Sequence, residues 1–328
     1  VRIIFDPTQI SRPTAIALGN FDGVHIGHHR VIAPILPNQL GDRHLLHLTS
    51  TVVSFSPHPQ EFFSKKPKEL LAPFAEKTAL LEALGVEQLV LLPFDAQLSQ
   101  LTAAEFIQQI LIDSMQVQLI SVGFDFRFGR QRQGSIMDLH QVWGDRLTVI
   151  PEQTLNVNCE PVRISSSNIR QALAQGNIDL VSCLLGRPYE LIGIVEQGKQ
   201  LGRTIGFPTA NLALPANKCL PCQGVYAVRV NILGELGADH GEQHGVMNIG
   251  MRPTVDATGD RPTIEVHLFD YQGDLYGQQL SVKIIQFIRA EQKFKDLTAL
   301  KVQIEQDCQT AKQYLEIQRD LVMVRQSA

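Results

Sequence analysis

The chain has 328 residues, 44% hydrophobic and 19% charged, with 29 basic against 33 acidic side chains and a formal charge of -4. That length is roughly twice a typical domain of about 150 residues, so two cores are expected. The slight acidity argues against a partner held by neutralising many nucleic-acid phosphates, and no apolar run reaches the roughly 18 residues of a membrane span.

The opening Val-Arg-Ile-Ile-Phe-Asp lacks the profile of a signal peptide, and five cysteines (Cys159, Cys183, Cys219, Cys222, Cys308) form an odd set that suits reduced thiols. The cytoplasm is the expected compartment. Strands are expected at 14–18, 50–55, 88–92, 118–122 and 147–150, alternating with helical patterns, which means βαβ units and a parallel sheet. A capping box, Thr102-Ala-Ala-Glu105, opens the helix between the third and fourth of these strands. Pro34 should kink or shorten the first helix.

After a helical stretch at 167–185, residues 193–288 alternate in polarity and carry breaks at Gly198, Gly206, Gly234 and Gly273, the texture of an antiparallel barrel. Leu297, Leu300, Ile304, Cys308, Ala311 and Leu315 then mark one face of a long amphipathic helix that should pack on it. The expected fold is therefore α/β followed by β, with domains 1–186 and 187–328 divided at Gly186-Arg187-Pro188.

The run Gly19-Asn20-Phe21-Asp22-Gly23-Val-His25-Ile-Gly27-His28 follows the first of these strands and opens a helix, where parallel sheets bind phosphates. Its glycines let backbone approach a triphosphate, and His25 and His28 can both donate to it. Taken alone, it also reads as a glycine-rich turn with two solvated histidines. A second cluster, Arg163-Ile-Ser165-Ser166-Ser167-Asn-Ile-Arg170, opens a later helix, where hydroxyls, a helix N-terminus and two arginines suit the β- and γ-phosphates. Alone it is equally an N-capping serine cluster beside surface arginines.

In this order the two segments resemble the HxGH nucleotidyltransferases, with Ser167 where threonine is expected. The words between them, Phe55-Ser-Pro57-His58-Pro59 and Val122-Gly123-Phe-Asp125-Phe126-Arg-Phe128-Gly129, resemble the FMN adenylyltransferase half of bacterial bifunctional riboflavin kinase/FAD synthetases. The resemblance implies that both clusters hold ATP, with Pro57, His58, Pro59, Asp125, Phe126 and Phe128 on the flavin side. An FMN phosphate oxygen is already anionic, so its attack on the α-phosphorus needs alignment and charge stabilisation but no general base. By that implication His25, His28 and Mg²⁺ stabilise the charge, and pyrophosphate leaves toward Arg170. Core packing is the other reading of Phe126 and Phe128.

The second half carries Gly198-Lys-Gln-Leu-Gly202-Arg203-Thr-Ile-Gly206-Phe207-Pro208-Thr209-Ala210-Asn211, a glycine loop before a rigid polar corner. Thr209 and Asn211, two apart in extended chain, point to one side and suit Mg²⁺ when phosphates supply its other ligands. A plain turn with a Pro-Thr corner is the alternative. With Gly224-Val-Tyr-Ala, Asn248-Ile-Gly250-Met-Arg252-Pro253-Thr254, Ile264-Glu265-Val-His-Leu-Phe-Asp270 and Phe287-Ile-Arg289-Ala-Glu291, this half resembles riboflavin kinase.

That second resemblance implies ATP at Gly198, Gly202, Arg203, Thr209 and Asn211, Mg²⁺ at Thr209 and Asn211, and flavin contact by Arg252. Glu265 is then the catalytic carboxylate, taking the proton of a riboflavin alcohol that is a poor nucleophile until it is lost; without the motif, a solvent-facing strand glutamate is the plainer reading. Riboflavin, FMN and ATP are the implied partners, FMN and FAD the products, and flavoproteins the clients, with no nucleic acid or membrane.

Three other readings compete. An HxGH nucleotidyltransferase for another phosphorylated substrate leaves the second half unexplained, and a class I aminoacyl-tRNA synthetase relative would want a basic RNA surface. A flavin-binding regulator without turnover would not need a triphosphate motif in each half. Cys219, Cys222, His240 and His244 superficially offer a four-ligand zinc set, but the interval from Cys222 to His240 exceeds finger spacing and contains a strand-like run, so a loop for the thiols and a hairpin tip for the histidines are expected there.

Overall fold

A computed structural model describes residues 1–39, 47–157, 159–198, 206–233, 241–251 and 262–326, with side chains to 316. By its internal contacts the chain divides into 1–168 and 169–328. The first unit holds a six-stranded sheet of β1 (Arg2–Ile4), β2 (Thr14–Leu18), β3 (Thr49–Ser56), β4 (Gln88–Pro93), β5 (Val117–Gly123) and β6 (Leu147–Ile150). Its order is β1-β4-β3-β2-β5-β6 and every pairing is parallel.

Each central strand buries both faces, as parallel sheets require. Ile16, Leu18 and Val53 enter one core cluster, while Ala15, Ala17 and Val52 enter another on the opposite face. The connecting helices are α1 (Ile26–Ile32), α2 (Pro59–Ser64), α3 (Phe74–Ala83), α4 (Ala96–Gln100), α5 (Ala103–Glu105) and α6 (Ile136–Trp143). Pro34 has the expected effect: α1 stops at Ile32 and Ala33–Ile35 is a single 3-10 turn. The capping box forms, with Thr102 N–H donating to Glu105 Oε2 at 2.8 Å and Glu105 N–H to Thr102 Oγ1 at 3.2 Å. It holds the carboxyl below the usual carboxylate range. The helix then widens to i→i+5 bonding over Phe106–Ser114, which periodicity did not foretell.

Two features escaped the sequence reading. β1 is only three residues long, and β7 (Thr154–Val157) with β8 (Glu160–Arg163) forms a separate antiparallel hairpin. The expected helix at 167–185 is also two, α7 (Ser166–Ala174) and α8 (Ile178–Leu185). Gly176 breaks it at φ +70°, and Asn177 Oδ1 caps the second piece on Leu180 N–H at 3.1 Å.

The second unit is a closed antiparallel barrel of β9 (Tyr189–Glu196), β10 (Ala210–Ala213), β11 (Gly224–Leu233), β12 (Gln243–Gly250), β13 (Thr263–Leu268) and β14 (Gln279–Ala290), ordered β10-β13-β12-β11-β14-β9. α8 packs on β9 and β14. The last helix, α9 (Leu297–Gln326), lies on the outer wall, where Ala311 and Leu315 are fully buried against Val225, Ala227, Val246 and Ile285. Its apolar face engages unevenly, since Leu297 in the first turn is 68% exposed.

Between those two regions an ion pair anchors the helix. Arg289 on β14 donates from Nε at 2.9 Å and Nη2 at 2.7 Å to the two Asp307 carboxylate oxygens, and Asp307 is 3% exposed. Removing one partner strands a buried charge, which costs more than the pair contributes. Arg289→Ala, which strands the buried Asp307 carboxylate, is expected to destabilise the barrel by about 3 kcal/mol in denaturant unfolding. A loss under about 1 kcal/mol, the scale of an exposed pair, would mean that the pair does not anchor α9.

Candidate active sites

The first site forms where β2 ends. Phe21, Gly23 and Val24 all take positive φ (+49°, +82° and +39°), a conformation that costs free energy at the two non-glycine positions. Only glycine suits position 23, because a Cβ there would meet Leu71 Cδ1 at 2.9 Å. The loop is held from four directions. Buried Asp22 accepts the N–H groups of Leu71 (2.9 Å) and Ala72 (3.3 Å) on Oδ1, and Ser166 Oγ donates to Asp22 O at 2.9 Å. Ser54 Oγ (3.1 Å) and Lys77 Nζ (2.9 Å) both donate to Asn20 O.

His25 caps α1. Its Nδ1 accepts His28 N–H at 3.2 Å, so the ring proton sits on Nε2, a hydrogen-bond donor. The two imidazoles stack, 3.5 Å between centroids and 13° from parallel, and Phe21 meets His28 edge-on at 5.2 Å. Gly19 precedes this loop, and Gly27 lies under the His25 ring, where a Cβ would press it at 3.2 Å. The histidines thus stand at the N-terminus of α1, the end that favours negative charge.

The serine cluster divides its work. Ser165 Oγ accepts Asn168 N–H at 3.2 Å and so caps α7, whereas Ser166 is spent on the Asp22 carbonyl. Ser167 follows in the first turn, and Arg170 lies three residues further along the helix, beyond the division between the units. Arg163 is committed elsewhere: it pairs with Asp125 Oδ2 at 2.9 Å and Glu152 Oε1 at 2.8 Å, and its guanidinium lies 5.4 Å above the Phe124 ring. A residue expected on the nucleotide therefore holds one expected on the flavin side.

Pro57, His58 and Pro59 follow β3, and His58 Nδ1 caps α2 by accepting Gln60 N–H at 3.1 Å. Lys68 Nζ lies 3.0 Å from His58 Nε2. Around this corner Phe55, Phe62, Phe63 and Phe94 form edge-to-face pairs with centroids 5.3 to 5.8 Å apart, yet Phe63 is 68% exposed. The cluster, half-buried but for Phe63, stands at the carboxyl ends of parallel strands, where open α/β sheets offer ligand sites. Phe128, by contrast, is 5% exposed and packed on Phe106, and Phe126 stacks on it at 5.8 Å.

Register builds the second site. Asn211 on β10 and Asn248 on β12 both stand directly opposite Glu265 on the strand between them, so the three half-buried side chains form one row across the barrel wall. Asn211 is also opposite Glu196 on β9. The alternate residues Leu212, Ile264 and Val266 point to the other face and are buried. At Gly198 the backbone runs so close that a Cβ would collide with the Asn211 amide. His267 shares the Glu265 face and donates from Nδ1 to Pro208 O at 2.8 Å, fixing the corner that carries Thr209. Gly202, Arg203 and Arg252 lie outside the described residues.

A match to the family described as FAD synthetase covers residues 8–168, and one to riboflavin kinase covers 185–315. The chain is 38% identical to the bifunctional riboflavin kinase/FMN adenylyltransferase of Haemophilus influenzae, over 96% of this chain and 98% of that one. It is 37% identical to the Bacillus subtilis protein of the same name, over 92% of each chain, and 40% identical to that of Escherichia coli K12, over 91% and 92%. The chain belongs to the bifunctional riboflavin kinase/FMN adenylyltransferase family. A solved structure described as a macrolide-efflux protein from Streptococcus pneumoniae matches with a TM-score of 0.79 at 31% identity, over 93% of this chain and 96% of that one. Among the described residues no helix is long and apolar enough to cross a membrane.

Cys219 and Cys222 lie in a loop as expected, where Tyr189 Oη donates to Cys219 O at 2.7 Å and Cys222 Sγ lies 3.2 Å from Tyr226 Oη. His244, expected in a hairpin tip, is instead on β12, paired opposite Arg229, and His240 is outside the described residues. Sequence reasoning missed Ser54, Lys77 and the Phe62, Phe63 and Phe94 cluster, and it met Asn248 and His267 only inside family words, without a role; tertiary placement brings all of them in. Gly198→Ala tests the second site by displacing the Asn211 side chain without deleting it. Its Cβ displaces a flexible amide, so stability should change by under about 1 kcal/mol while FMN formation falls by about tenfold or more. A variant with normal FMN formation would show that the Asn211 position is not critical.

Proposed function

We propose that residues 187–328 transfer the γ-phosphoryl group of ATP to riboflavin and that residues 1–186 transfer the AMP unit of a second ATP to the resulting FMN. The observation that carries this reading is the difference in equipment between two nucleotide-type sites. One presents paired histidines at a helix N-terminus. The other presents a half-exposed carboxylate between two amides.

In the kinase half Glu265 takes the proton of the ribityl alcohol as its oxygen attacks the γ-phosphorus, and ADP leaves. Thr209 and Asn211 fit Mg²⁺, since a hydroxyl and an amide oxygen are the hard donors this ion takes beside phosphate oxygens. Bound there, Mg²⁺ would neutralise charge developing on the phosphates. Gly198, Gly202 and Arg203 line the triphosphate, and Arg252 meets the flavin.

In the other half no proton needs removing. An FMN phosphate oxygen bonds to the α-phosphorus as the bond to the β-phosphate oxygen breaks, and pyrophosphate departs toward Ser165, Ser167 and Arg170. His25 and His28 donate to the charge that grows, and Gly19, Asn20, Phe21, Asp22, Gly23 and Gly27 shape the cradle. The isoalloxazine ring lies against Phe63 and its half-buried neighbours Phe62 and Phe94, beside Pro57, His58, Pro59, Asp125 and Phe126, with Phe128 supporting from the core. Arg163 fixes Asp125 until nucleotide competes for its guanidinium. We place the enzyme in the cytoplasm with flavoproteins as clients, independent of nucleic acid and membrane.

Two single substitutions separate the halves. His28→Ala should slow FAD formation by about 10²- to 10³-fold, the usual effect of removing one such donor, and spare FMN formation. Glu265→Ala should block riboflavin phosphorylation and leave adenylation of supplied FMN intact. Unchanged FAD synthesis in the first variant, or normal kinase turnover in the second, would remove that residue from the mechanism.

A further inference from the structure

Lys77 is a charged residue in a place where lysine is rarely found. It lies on α3, 8% exposed, and its ammonium donates to Asn20 O, the carbonyl that opens the left-handed stretch of the phosphate loop. The charged groups facing it are the Asp22 carboxylate from the same loop and the Lys68 ammonium from the segment before α3. Burial depresses its pKa below the usual lysine range; Asp22 pulls the other way and Lys68 adds to the fall.

We infer that Lys77 is a positioning residue for adenylyl transfer, gripping the Asn20 carbonyl and balancing the Asp22 carboxylate so that the loop can receive a triphosphate. Asp22 organises the loop through the Leu71 and Ala72 amides, but its negative charge stands where phosphates are to bind. A buried ammonium behind the loop offsets that repulsion without occupying the nucleotide's space, and low local dielectric strengthens the effect. By polarising the Asn20-Phe21 peptide, Lys77 also makes the Phe21 N–H a stronger donor toward an anion.

The inference rests on the proposed adenylyltransferase reading, and the full-length chain tests the two separately. If the wild-type protein makes no FAD from FMN and ATP, that reading fails; if it does and Lys77→Met matches it, only the role of Lys77 fails. Expected for Lys77→Met is a KM for ATP in FAD formation raised by about tenfold or more, with kcat reduced less and FMN formation from riboflavin unaltered. Asp22→Asn in the Lys77→Met background should recover part of the loss, because the stranded carboxylate is then gone; a purely additive loss would contradict charge balance.

Wild-type FAD formation should also fall on the alkaline side, as Lys77 loses its proton, at a pH below the ordinary lysine value of about 10.4. Lys77→Arg, which keeps its charge, should retain more activity than Lys77→Met and lack this limb, whereas Lys68→Gln should keep it. If Lys77→Met does not fold, the wild-type profile decides: no alkaline loss, or the same loss in Lys77→Arg, overturns the inference.

Discussion

A loop that takes conformations most side chains avoid must be held in them, and between β2 and α1 the holding is done by Asp22. Its buried carboxylate ties the Gly19–Val24 turn to the amides of Leu71 and Ala72, while Ser166 and Lys77 secure the flanking carbonyls. Without such ties Phe21 and Val24 would relax from positive φ, and α1 would start in a different direction. The His25 cap, the His28 stack and the helix N-terminus all depend on that starting point.

The barrel solves the same problem with register. No loop places Glu265 between Asn211 and Asn248; antiparallel pairing does so, because a one-residue slip would turn the carboxylate toward Leu212 and Val266 in the interior. The Arg289–Asp307 pair then clamps α9 to the wall of the same barrel. A strand positions a side chain more rigidly than a loop does, and Glu265, the base we propose for this half, stands on a strand.

Much of this was legible in the chain. The five longer strands of the sheet, the capping box, the Pro34 stop and the barrel follow from periodicity and from residues with fixed backbone preferences. Phe128 had two readings in the sequence, flavin contact and core packing, and it packs in the core, bonded through its backbone to Gly134. Lys77 shows a limit, since a lysine on a ten-residue helix reads as solvated until the loop it meets is known. β1 was missed because three residues carry too little periodicity to stand out, and the β7–β8 hairpin because Pro161 interrupts the pattern of its second strand. Asn248 could not be paired with Glu265 before the strand order was known.

The central claim is that two phosphorus atoms of ATP are attacked in two halves of one polypeptide. Isotope tracing tests it directly: purified full-length protein is given riboflavin, Mg²⁺ and ATP labelled at either the α- or the γ-phosphorus. The account requires γ-label in FMN first and then in FAD, and α-label in FAD but never in FMN. Absence of label from both flavins, or α-label in the FMN fraction, would contradict it.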